Sequence, residues 1–86
     1  MYRVETASRR VAKQLDRVHN DYYPQVAAAI KALENNPRPV RVQKLGGKVH
    51  RIRVGQYRII YSIHDKEQVV VIDKVDRRKE RTYKGW

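Results

Sequence analysis

Three arginines crowd the stretch His50-Arg51-Ile52-Arg53-Val54-Gly55-Gln56-Tyr57-Arg58. Arginine stays charged at any ordinary pH, and its planar fork of donors matches the oxygens of a phosphate. Gly55-Gln56 has the form of a two-residue hairpin turn with glycine first. Closing that turn sets Val54 opposite Tyr57, Arg53 opposite Arg58, Ile52 opposite Ile59 and Arg51 opposite Ile60. Side-chain alternation then gathers Arg51, Arg53 and Arg58 on one face and leaves His50, Ile52, Val54, Tyr57, Ile59 and Tyr61 on the other. Like charges directly opposite each other are destabilising. Two outcomes relieve the strain. The arginine stems cover the sheet while their heads splay into water, or an anion converts repulsion into charge-assisted hydrogen bonds. Asp73 is the carboxylate that the sequence offers as an internal partner. A second basic run, Arg77-Arg78-Lys79-Glu80-Arg81-Thr82-Tyr83-Lys84, arrives beside the same face if the last strand continues the sheet. Such a run in isolation reads as a solvated tail; beside three arginines it favours the anion site.

Composition points the same way. Lys and Arg number 20 against 9 Asp and Glu, a formal charge of +11, so an anionic partner is expected. The absence of cysteine excludes disulfides, thiol nucleophiles and thiolate metal sites. His19, His50 and His64 are scattered, so no metal site and no cofactor are expected. No apolar run reaches the length of a membrane span and no leader opens the chain, which makes a cytoplasmic protein without membrane contact the expectation. Eighty-six residues imply one domain, 1–86, with a small core and modest stability.

The elements that must hold the arginines follow from periodicity. Residues 2–6 alternate and read as a short strand. Ser8 caps a helix to about His19, with Val11, Leu15 and Val18 on one stripe. Asn20-Asp21 breaks it, and Pro24 fits the first turn of a second helix. Tyr23, Val26, Ile30 and Leu33 line that helix's apolar face, and Asn35-Asn36-Pro37 ends it. So short a break implies an antiparallel helix hairpin. Residues 37–48 read as a loop tethered by Val40, Val42 and Leu45. Strands are expected over 49–54, 57–64 and 68–75 as a meander. The order β-α-α-β-β-β is α+β, with the helix hairpin packed on a twisted, mainly antiparallel sheet.

With these pieces in place the chain resembles the RelE branch of the RelE/ParE toxins. The resemblance rests on Lys44-Leu45-Gly46-Gly47, His50-Arg51-Ile52-Arg53-Val54, Gly55-Gln56-Tyr57-Arg58-Ile59-Ile60-Tyr61 and the tail Val75-Asp76-Arg77-Arg78-Lys79-Glu80-Arg81-Thr82-Tyr83. It covers essentially the whole chain. It implies a RelE-like fold and the toxin of a toxin–antitoxin pair that binds the ribosome and cleaves mRNA. A cognate antitoxin with an acidic segment is the implied partner, and no homo-oligomer is expected without it. Carried over position by position, the family's paired basic residues fall on Arg51 and Arg53, its next arginine on Arg58, its tail arginine on Arg78 and its tail tyrosine on Tyr83. Lys44, Lys48, Arg77, Lys79 and Arg81 are the expected supporting RNA contacts.

RNA supplies its own nucleophile, the 2′-hydroxyl, so such an enzyme has to orient the attack, take a proton and stabilise the added charge. Arg58 and Arg78 are the candidates for the phosphorane, Arg51 and Arg53 for the flanking phosphates, and Tyr83 for stacking on a base, with its hydroxyl a secondary candidate for proton transfer. One departure matters. The family prototype carries lysines in the second-strand pair, whereas Arg51 and Arg53 hold their protons too tightly to act as a base. Lys44, Lys48 and His50 are the remaining sequence candidates. A ParE-like toxin that inhibits DNA gyrase, and a non-catalytic basic RNA- or ribosome-binding module, are the competing readings.

Overall fold

The structure, a computed structural model, describes residues 1–77. Its elements are β1 (Arg3–Thr6), α1 (Arg9–Asp16), α2 (Tyr23–Ala32), β2 (Gln43–Gly46), β3 (Val49–Val54), β4 (Tyr57–His64) and β5 (Val69–Arg77). The five strands form one sheet in the order β1-β5-β4-β3-β2. β2, β3, β4 and β5 pair antiparallel, and β1 lies parallel to β5. The expected α+β architecture holds. α1 covers β5 and α2 covers β3, both on the same side of the sheet.

Local chemistry explains the boundaries. The Ser8 hydroxyl accepts from the Val11 N–H, capping α1 as expected. α1 stops at Asp16, earlier than the periodicity implied, yet Val18 still reaches the core from the following turn. α2 begins with Tyr22 as its cap and Pro24 in the first turn. Tyr23 is exposed rather than on the apolar stripe; Tyr22 packs inward instead, its ring 5.7 Å from that of Tyr57. β4 alternates buried and half-buried along its full length, with Tyr57, Ile59, Tyr61 and Ile63 facing the helices. Val26 and Leu33 from the second helical segment and Val70, Ile72 and Val75 from β5 close the core around them.

Two features correct the sequence reading. Residues 37–48 are not only a loop: Gln43–Gly46 pairs with β3 as an edge strand. The segment is anchored by Val42 and by the buried Tyr61 hydroxyl, which donates to the Pro37 carbonyl at 2.8 Å, whereas Val40 and Leu45 are exposed. Burial pushes the Tyr61 phenol up to about 12, so it remains a donor at any ordinary pH. The last strand runs to Arg77 and contains a bulge. Ile60 faces Lys74 but Tyr61 faces Ile72, so Asp73 is the extra residue. The Gln14 side chain of α1 accepts from the Val75 N–H at 2.9 Å, just beyond the bulge.

Candidate nucleic-acid interface on the open sheet face

The β3–β4 hairpin has the register that its turn dictated. Val54 faces Tyr57, Arg53 faces Arg58, Ile52 faces Ile59 and Arg51 faces Ile60. Gly55 opens the turn with φ of 60°, a region costly for other residues, and a Cβ there would also press within 3.1 Å of the Tyr22 ring. Arg51, Arg53 and Arg58 therefore share the face that the helices leave uncovered.

The arginines are not equivalent. Gln43 of β2 lies opposite Arg51 and accepts a hydrogen bond from its Nη2. Arg41, Gln43, Arg51 and Arg53 line an open groove of about 400 Å³. No ion pair among the described residues includes Arg41, Arg51 or Arg53. Arg58 differs: its Nη2 donates to Asp76 Oδ2 at 2.8 Å, and the Lys74 ammonium lies 3.9 Å from the same oxygen. Asp73, the carboxylate expected from sequence, does not fill this role. It sits in the bulge toward Ser62 and His64, where burial pushes its carboxyl up against the opposing pull of those two groups. The Nε atoms of Arg51 and Arg58 are both buried without a hydrogen-bond partner among the described residues. Both are unmet donors enclosed within the arginine surface, where unpaired polar groups are uncommon.

The other expected contacts are distributed differently. Lys44 lies opposite His50, and the Lys48 carbonyl accepts from the Ile63 N–H, so alternation sets both lysines on the register of the helix-covered side. His50 is buried, its ring stacked 5.9 Å from that of Tyr61 and bonded to the Lys48 carbonyl. None of these three candidate bases joins the arginines. Arg77 faces Tyr57 and donates to the Gln56 side chain, again off the arginine register. Arg78, Lys79, Arg81 and Tyr83 lie outside the described residues. Sequence reasoning missed Arg41, Gln43 and Asp76. The first two needed β2 to be recognised, and Asp76 needed the bulge.

Comparison with known proteins decides the family. The model of the ParE toxin of type II toxin–antitoxin systems matches residues 5–82. The chain belongs to the RelE/ParE toxin family. A relative described as "Putative toxin RelE1", from Methanocaldococcus jannaschii, is 30% identical over 82 residues, 90% of each chain. Among solved structures, the archaeal RelE–RelB complex from Pyrococcus horikoshii gives a TM-score of 0.81 at 32% identity, covering 92% of this chain and 97% of that one. The isolated E. coli RelE toxin gives 0.82 at 18% identity over 95% and 89%, a likeness of fold alone. The RelE-like α+β fold is thereby established, and the chain is the toxin of a toxin–antitoxin pair.

Proposed function

We propose that this RelE-like toxin is a ribosome-dependent endoribonuclease that cleaves mRNA in the cytoplasm by attack of a ribose 2′-hydroxyl on the adjacent phosphate. The observation that carries the reading is the convergence of Arg51, Arg53 and Arg58 on the sheet face opposite the helices, beside the Arg41–Gln43 groove. Arg51 and Arg53 hold the RNA backbone. Arg58 stabilises the charge that builds on the phosphorane, together with Arg78, assigned by resemblance. Tyr83, assigned in the same way, stacks on a base. Attack by the 2′-oxygen yields a 2′,3′-cyclic phosphate and a free 5′-hydroxyl, a route for which the protein supplies position and charge rather than a nucleophile.

An antitoxin is the regulating partner. Solved RelE relatives are seen in complex with RelB, and a chain of net charge +11 calls for an acidic segment in its own antitoxin. The experiment is induction of the toxin in cells with mapping of new mRNA ends, in parallel with Arg58→Ala. Codon-phased cuts on translated messages that vanish in the variant support the reading. A second reading, gyrase inhibition, draws on the ParE description of the matching family model. Growth arrest with intact mRNA and inhibited gyrase would establish it in place of the first. Salt-sensitive RNA binding with neither effect would leave a binding module.

A further inference from the structure

The cleavage described above requires a proton acceptor, and the expected candidates among the described residues, Lys44, Lys48 and His50, lie on the helix-covered register. We propose that Asp76 is the general base; the inference rests on the ribonuclease reading and adds to it the group that removes the 2′-hydroxyl proton.

Four observations carry it. Register aligns Arg53, Arg58 and Asp76 in a single row across β3, β4 and β5, so a carboxylate sits in the same row as the arginine pair. Asp76 Oδ2 is 2.8 Å from Arg58 Nη2, and the Asp76 side chain keeps 31% of its surface exposed, enough for a substrate to reach. Arg58 and Lys74, the cations that meet it, and Arg53 in the same row are proton donors rather than acceptors. Asp76 alone among the described residues beside Arg58 presents an oxygen that can accept one. Finally, Arg58 has five N–H donors and gives one to Asp76, while its Nε is unpartnered. A phosphate held by the remaining donors lies next to the carboxylate. In RNA the 2′-hydroxyl is bonded to the carbon beside the one carrying that phosphate, so a base belongs beside the phosphate-binding group.

The step balances without a further reagent. The 2′-oxygen forms a bond to phosphorus as its proton passes to Asp76. The P–O5′ bond breaks, its electron pair stays on the 5′-oxygen, and that oxygen takes a proton from water. Asp76 then returns its proton to the resulting hydroxide. Arg58 thus has two tasks, holding the phosphate and holding the base in register with it.

The test uses the full chain on purified ribosomes programmed with a short mRNA, and a 2′-O-methyl oligonucleotide of the same sequence as a non-cleavable binding probe. Asp76→Asn keeps the shape and a hydrogen-bond acceptor for Arg58 but cannot take the proton. The cutting rate is expected to fall roughly 10²- to 10⁴-fold, with binding of the 2′-O-methyl probe unchanged or tighter because a negative charge is gone. Asp76→Glu should restore part of the rate. The wild-type rate should fall on acidification, and the residual rate of Asp76→Asn should not follow it. Cutting by Asp76→Asn at the wild-type rate or faster would overturn the assignment and leave Asp76 as a counter-charge. Loss of probe binding together with cutting would overturn it too, by making the role structural. A silent wild type would instead remove the ribonuclease reading itself.

Discussion

Two arginine–aspartate pairs sit near the two ends of β4, and they are built for different purposes. At one end Arg38 grips Asp65 through both of its terminal nitrogens, at 3.2 and 2.9 Å, and the Tyr2 hydroxyl donates to Asp65 at 2.6 Å. This clasp ties the N-terminal segment, the stretch before β2 and the β4–β5 turn together. Asp65 accepts on both of its oxygens, from Arg38 and Tyr2. The Arg38 guanidinium, and the Tyr2 hydroxyl after it, hold the Asp65 carboxyl well below its usual range, at about 2. At the other end Arg58 meets Asp76 through one nitrogen, both side chains are only about one-third exposed, and Arg58 Nε has no partner. The more exposed pair is bidentate and leaves no buried donor unpaired; the more buried pair is single and leaves one. Leaving a buried donor unpaired is costly, so the shape of the second pair points to use, whereas the first points to fastening.

That contrast can be broken or sharpened by measurement. The largest effect should come from Arg58→Ala, with mRNA cutting down about 10²- to 10³-fold and little change in melting temperature; Arg38→Ala should leave cutting intact. Equal losses from the two variants would erase the division. Next is Tyr61→Phe, which strips the buried Pro37 carbonyl of its donor beside the clasp. A loss of about 1–3 kcal/mol is expected by urea denaturation, without any change in RNA affinity. Arg53→Ala should flatten the salt dependence of RNA binding by about 0.7 in the log–log slope, the value for one phosphate contact on a single strand; an unchanged slope would take Arg53 out of the interface. The smallest effect belongs to Asp65. Because its folded value is depressed, its contribution is present above the ordinary carboxylate range and disappears as pH falls toward about 2. The melting-temperature gap between wild type and Asp65→Asn should therefore close on acidification, and a gap that widened would contradict the clasp.

Much of the arginine face was readable before any coordinates. A two-residue turn fixes hairpin register, and register fixes faces, so Gly55-Gln56 sufficed for Arg51, Arg53 and Arg58. What escaped was whatever depended on contacts distant in sequence or on a break in period. β2 is a four-residue, fully exposed strand, Gln-Lys-Leu-Gly, with no alternation to betray it. The clasp joins residues 27 and 63 positions apart, beyond the reach of local patterning. Tyr22 and Tyr23 are adjacent on a helix entry, and only packing on Tyr57 selects the former. Asp76 lay one residue beyond the strand expected over 68–75, and the register that sets it, rather than Asp73, against Arg58 depends on a bulge that sequence does not reveal.

That departure has a consequence for how the surface could change over time. Had β5 kept Asp73 in regular pairing instead of bulging it out, Val75 would fall against Arg58 and Asp76 against Tyr57, turning the valine outward and the carboxylate into the core. The bulge is thus a frame shift in three dimensions: it decides which side chains of β5 beyond Asp73 meet the arginines and which meet the core. The Gln14 amide, a single clip from the covering helix to the Val75 N–H, holds the frame in which acid meets arginine.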